Sequence, residues 1–199
     1  MDKPLILASA SPRRREILTL AGISFETHPA ADEFASVGLP PRERVRALAQ
    51  SKARQVAPLY SDRVILGADT MVAIGNRVLG KPHSEAEALE MLMALQGKEH
   101  TVLTGAWLIR TDSSGSIVKE DGFTDETAVR FYPMTEADAR AYIATGEPMD
   151  KAGAYGIQGY GMRFVEGIRG DFFTVMGLPG GRLIRFLRDF SVDLQTNFG

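Results

Sequence analysis

The stretch Arg63–His83, RVILGADTMVAIGNRVLGKPH, does most to limit what this chain can fold into. Val64, Ile65 and Leu66 form a short apolar run that breaks at Gly67, the pattern of a buried strand bounded by a turn residue. Asp69 and Thr70 follow, so a carboxylate stands at the exit of that strand, where α/β folds present ligands. Met71–Ile74 restarts an apolar run, and Gly75-Asn76 reads as a tight turn. Arg77-Val78-Leu79 returns as a hairpin partner and delivers Gly80-Lys81-Pro82. One unit thus sets an acid, Asp69, and a base, Lys81, at the lip of a sheet. A hairpin with a turn aspartate and a solvated lysine fits the same letters.

The bulk properties narrow the class. The chain has 199 residues, enough for one core or two closely joined lobes, and its 44% hydrophobic and 24% charged content is ordinary for a soluble protein. A net charge of −2 creates no overall field toward nucleic acid or membrane. Any anion-binding chemistry must come from local placement of bases. The absence of cysteine excludes disulfides, thiolate catalysis and cysteine-based zinc sites, and fits a reducing compartment. The opening MDKPLILASASPRR has too short an apolar run for a signal peptide, and its basic residues follow that run. No stretch approaches the roughly 18–20 apolar residues of a membrane span. A cytoplasmic soluble protein is expected, with no internal repeat.

In chain order, Leu5–Ala8 reads as a first strand, and Ser11-Pro12 as the N-cap and first position of a helix over Arg13–Ala21. Arg13, Arg14 and Arg15 crowd a helix N-terminus, where cations are electrostatically misplaced unless an anion binds there. Solvation of the first turn is the plainer alternative. Ile23–His28 is a predicted second strand, followed by Asp32-Glu33 in a loop. Pro40-Pro41 opens a helix over Arg42–Ala57 whose apolar stripe is Val45, Leu48, Ala49 and Val56. Lys52 falls in that stripe, so it either snorkels to an edge or meets a buried anion.

Ser84–Glu87 has the letters of a capping box and starts a helix to about Leu95, with Ala88, Leu89, Leu92 and Leu95 inward. His100–Arg110, and then Ile117 onward to Tyr132, alternate as a long antiparallel ribbon around the turn Thr111–Gly115. Thr135 caps another helix, stopped by Gly146. The segment GEPMDKAGAYGIQGYGMRF is densest in glycine and reads as an irregular loop carrying Asp150, Lys151 and Gln158. Phe164-Val165 and Phe172–Met176 read as short strands, and Leu178-Pro179 starts a last helix. The tail over 191–199 is expected to fray.

The histidines His28, His83 and His100 lack metal-ligand spacing. No G-x-S-x-G elbow, dinucleotide fingerprint or P-loop is present. What recurs is a base at the exit of an element (Arg13, Arg14, Lys52, Lys81, Lys151) and an acid at similar exits (Glu33, Asp69, Asp150). Clustered bases with isolated carboxylates suit a polyphosphate and a divalent metal, provided the bases meet in a shielded cleft.

The segments SASPRR (9–14), DE (32–33), LAQSKA (48–53), LGADT (66–70), LGKP (79–82), GEPMDKAGAYGIQG (146–159) and VMGLP (175–179) resemble the Maf family of nucleoside triphosphate pyrophosphatases, in order and over about residues 4–190. The resemblance implies one domain over 1–199, with an inosine-triphosphatase-like α/β fold. That fold is a long mixed sheet flanked by helices, in two lobes with a central cleft. It implies hydrolysis of a nucleoside triphosphate to monophosphate and pyrophosphate with magnesium or manganese. Asp69 would be the proton acceptor, or a metal ligand beside Glu33. Arg13, Arg14, Lys52 and Lys81 would hold the phosphates. The subgroup acting on dTTP and UTP is marked by an arginine, a threonine and a glutamine, matching Arg13, Thr70 and Gln158; a subgroup acting on 7-methyl-GTP differs there. Gln158 has both a donor and an acceptor for a uracil-type ring edge. Family members are often homodimers, while the net charge of −2 argues against a nucleic-acid partner and the lack of a long apolar run against a membrane. Three other functions stay open: a non-catalytic nucleotide-binding regulator of septum formation, a 7-methyl-GTP pyrophosphatase, and a single-strand nucleic-acid binder using Arg13–Arg15, Tyr155 and Tyr160.

Overall fold

The computed structural model describes residues 3–31 and 38–192. Its strands are β1 (Leu5–Leu7), β2 (Phe25–Thr27), β3 (Val64–Ile74), β4 (Arg77–Leu79), β5 (Glu99–Thr111), β6 (Ile117–Phe131) and β7 (Val165–Arg169). Its α-helices are α1 (Pro12–Leu20), α2 (Pro41–Val56), α3 (Glu85–Leu95), α4 (Glu136–Ile143), α5 (Phe172–Met176) and α6 (Gly180–Arg188). Among the described residues, seven strands form one sheet in the order β2-β1-β3-β5-β6-β7, with β4 paired to β3 off that path. β1 runs parallel to β2 and β3, whereas β4 is antiparallel to β3 and β7 to β6. The sheet is therefore mixed, as expected for an α/β fold of this type.

Two expectations need correction. Gly67 does not end a strand: β3 continues through it to Ile74, so Asp69 lies within the strand and not at its exit. The reason is packing. A Cβ at residue 67 would collide with the backbone of α2 at Ala49 and Ala53, so glycine here admits a helix and causes no turn. Phe172–Met176 is a short helix and not a strand. Asp171 accepts hydrogen bonds from the Thr174 backbone N–H at 3.0 Å and its hydroxyl at 3.1 Å, which is N-cap chemistry.

The chain divides into two compact units. The first comprises Met1–Asp69, Thr104–Asp125 and Gly177–Gly199. In it α2 buries Ala49, Ala53 and Val56 against Ile6, Ile65 and Trp107. Gly105 repeats the device of Gly67, since a Cβ there would meet the Val45 carbonyl oxygen at 2.6 Å. Two missing side chains thus seat one helix directly on the sheet.

The second unit comprises Thr70–Leu103 and Glu126–Met176. Ala88, Leu92 and Leu95 of α3 share a core with Ala139 and Ile143 of α4, and with Phe131, Tyr155 and Phe164. The Ser84 hydroxyl accepts from the Glu87 N–H at 3.2 Å, while the Glu87 carboxylate takes the His83 N–H at 2.7 Å and leaves the box half closed. Thr135 and Asp138 close a full box on α4. The glycine-rich segment is wound into 3-10 turns over Glu147–Asp150, Ala152–Ala154 and Gly159–Phe164. The tail expected to fray lies, from residue 193, outside the described residues.

Candidate active site

Within the first unit the site starts from the contact that Gly67 permits. Lys52 sits on α2 between Ala49 and Ala53, and Asp69 stands two residues past Gly67 on β3. The Lys52 ammonium donates to Asp69 Oδ1 at 2.6 Å, and each side chain keeps only 16% of its surface exposed. Of the two fates open to Lys52 from sequence, it meets an anion.

Arg14, on α1, acts on the same carboxylate through its charge. The residue is buried, 8% exposed, and its guanidinium donates through Nε to the Gly177 carbonyl at 2.9 Å and through one terminal nitrogen to Ser9 Oγ at 2.8 Å. Ser9 Oγ also accepts from the Ser11 N–H at 3.3 Å, which fixes the turn into the helix. Ser11 starts the helix with an extended backbone but makes no side-chain cap bond. Burial pulls the Arg14 pKa down, the Asp69 charge works against that, and the neighbouring Arg13 adds to it. An arginine keeps its proton regardless. Arg13, Arg14, Lys52 and Asp69 therefore belong to one electrostatic neighbourhood.

Within the second unit Thr70 continues β3, half-buried. The Gly153 N–H donates to the Gly80 carbonyl at 2.9 Å, tying the segment that carries Lys81 to the glycine-rich loop. Lys81 itself is exposed. Gln158 is half-buried and directly precedes the turn Gly159–Phe164, with an extended backbone. Lys151 folds back locally, donating to Asp150 Oδ1 at 2.6 Å and the Glu147 carbonyl at 2.5 Å. Tyr155 is 5% exposed and hydrogen-bonds His100 at 2.7 Å, so it presents no ring for a nucleic-acid base. Glu33 lies outside the described residues.

A family model for Maf-like proteins matches residues 4–190. The chain is 47% identical over 193 residues to a dTTP/UTP pyrophosphatase of Bacillus cereus strain ATCC 10987, covering 96% of this chain and 92% of that one. It is 46% identical to a dTTP/UTP pyrophosphatase of Bacillus anthracis, covering 96% of this chain and 98% of that one. This chain belongs to the Maf-like proteins. The fold of the Staphylococcus aureus Ham1 protein matches it at a TM-score of 0.50 with 11% identity, over 96% of this chain and 100% of the other. That likeness concerns the fold alone, and agrees with an inosine-triphosphatase-like sheet.

The Maf-like chain offers one carboxylate in the described part of the first unit's cluster, that of Asp69. Magnesium is commonly held by one or two carboxylates plus substrate phosphates, so this donor fits such an ion. Among the described residues, no three His, Asp or Glu side chains gather as a separate metal cage. No described helix is long and apolar enough to cross a membrane. Sequence reasoning passed over Ser9, which orients Arg14, and Glu147, which accepts three hydrogen bonds beneath the glycine loop. Glu147 had a visible signal: an acid standing just before four glycines spaced two or three apart.

Proposed function

We propose that this Maf-like chain is a nucleoside triphosphate pyrophosphatase that hydrolyses dTTP and UTP to the monophosphate and pyrophosphate. The supporting observation is near-half identity, along almost the whole chain, to relatives bearing that name, combined with a lysine–aspartate pair built where the family's motifs fall.

Asp69 accepts the proton of the attacking water. Water adds across the α–β anhydride: its hydroxyl goes to one phosphorus, the bridging oxygen leaves on the other, and the proton returns to solvent. Lys52 is the exchangeable counter-charge. Its ammonium rests on Asp69 and turns to a phosphate oxygen when substrate arrives, leaving the carboxylate able to take a proton. Arg14, fixed by Ser9 and the Gly177 carbonyl, is a rigid cation for the phosphate chain, with Arg13 and Lys81 adding to it. A magnesium or manganese ion held by Asp69 and Glu33 would neutralise phosphate charge and polarise the anhydride oxygens. Thr70 and Gln158, with Arg13, select the base. The Gln158 amide answers the acceptor–donor–acceptor edge of a uracil-type ring.

The test is a nucleotide panel with magnesium or manganese and a pyrophosphate-specific readout. Pyrophosphate from dTTP and UTP ahead of the other nucleotides is expected. Orthophosphate alone, or no turnover on any nucleotide, defeats the proposal.

A further inference from the structure

The segment carrying Gln158 is held by two buried or half-buried side chains that no step above uses. The Glu147 carboxylate accepts from the Tyr142 hydroxyl at 2.8 Å and the Gly161 N–H at 3.1 Å on one oxygen, and from the Tyr160 N–H at 2.8 Å on the other. The Tyr142 hydroxyl in turn accepts from the Gly156 N–H at 3.1 Å. Residues 156 and 160–161 are therefore tied to one phenol–carboxylate pair, with Gln158 between the two ties.

The glycines make this arrangement possible. At Gly159, φ is +69° and a Cβ would press on Glu147 Oε2; at Gly161 a Cβ would strike the Gly156 carbonyl and the Tyr142 hydroxyl. The loop is thus moulded around the pair. Burial pushes the Glu147 pKa up, but the two backbone N–H groups, the phenol and the Lys151 charge outweigh it and hold the carboxyl below its ordinary value. A glutamine at 147 would offer one acceptor oxygen where the carboxylate offers two, and would aim its NH₂ at a donor.

We infer that Glu147, acting with Tyr142, is a positioning residue that sets the base choice of Gln158. This rests on Gln158 contacting the base, as proposed above. A Gln158 held in one pose answers a uracil-type edge and rejects a cytosine-type edge, whose exocyclic amine is a donor where uracil has an acceptor. A loosened loop lets the amide reorient and accept either.

The experiment compares wild type, Glu147→Gln, Tyr142→Phe and Gln158→Ala on UTP and CTP, with amide hydrogen exchange and thermal unfolding alongside. For Glu147→Gln, the UTP-over-CTP ratio of kcat/KM should fall about tenfold, the worth of one lost hydrogen bond to a charged group. The fall should come through the KM for UTP, with kcat within about twofold. Exchange should quicken at the Tyr160 and Gly161 amides and not in α4. Tyr142→Phe should give a smaller shift of the same kind, and decides the matter if Glu147→Gln does not fold. A folded variant that keeps the wild-type ratio, while Gln158→Ala collapses it, overturns the role of Glu147. An unchanged ratio in Gln158→Ala overturns the base contact, and the inference about Glu147 with it. Unchanged exchange at Tyr160 and Gly161 overturns the inference whatever the kinetics.

Discussion

Two carboxylates, Asp69 in the first unit and Glu147 in the second, are held in opposite ways. Asp69 faces a lysine ammonium, a point charge on a flexible stem. Glu147 faces two backbone N–H groups, which cannot leave without unwinding the loop, and the phenol of a buried tyrosine on α4. The first partner is exchangeable and the second set is not. A carboxylate balanced by something that can swing away is suited to proton transfer beside an arriving anion. One pinned by fixed donors belongs to the scaffold. The second unit shows the same habit elsewhere, since His100 is buried against Tyr155 as a neutral pair.

The largest effect that would break this contrast lies at Asp69. Asp69→Asn keeps the shape and removes the proton acceptor, so kcat should fall about 10²–10⁴-fold while nucleotide binding, read by calorimetry, persists. Turnover within tenfold of wild type would remove Asp69 from the chemistry.

Next comes the pH dependence of stability. Burial depresses the His100 pKa to about 4 from an ordinary 6.5. The folded state then declines a proton that the unfolded chain accepts below pH 6.5. The His100 contribution is complete above that pH and lost as pH falls toward 4, on the order of 3 kcal/mol. Denaturant titrations of wild type and His100→Phe should diverge in slope across that window, the variant falling less steeply. Parallel slopes would show that His100 is not kept neutral.

Lys52→Met should lower kcat/KM about 10- to 100-fold, by loss of one charge-assisted bond to phosphate. A large drop in the thermal midpoint with intact kinetics would place Lys52 with the scaffold and erase the contrast. The smallest effect is at Asp171, another carboxylate with fixed local donors. Asp171→Ala should cost about 1 kcal/mol of stability as a lost cap and leave kcat/KM for UTP where it was.

Much of the architecture could be read from letters because it rests on local chemistry. The Pro40-Pro41 start of α2, the Gly75-Asn76 turn, and the caps at Ser84 and Thr135 each combine a short pattern with a backbone need. What escaped depends on elements distant in sequence. Gly67 looked like punctuation because its partner, the α2 backbone, lies fourteen or more positions earlier. Phe172–Met176 is too short and too apolar to show a period, and its helical signal is the Asp171-to-Thr174 spacing instead. Of the site, Asp69, Lys52 and Arg14 could each be singled out, but their meeting could not. Glu147 escaped because its partners are mainly backbone groups, which have no letter of their own.

The ion pair between residues 52 and 69 is set by an atom that is not there. With hydrogen as the side chain at 67, the helix lies flush on the strand, and a lysine one turn along reaches a carboxylate two positions on. A single methyl group at that crossing would lift the whole helix like a shim under a hinge plate. Every ionisable group would survive and their spacing would not.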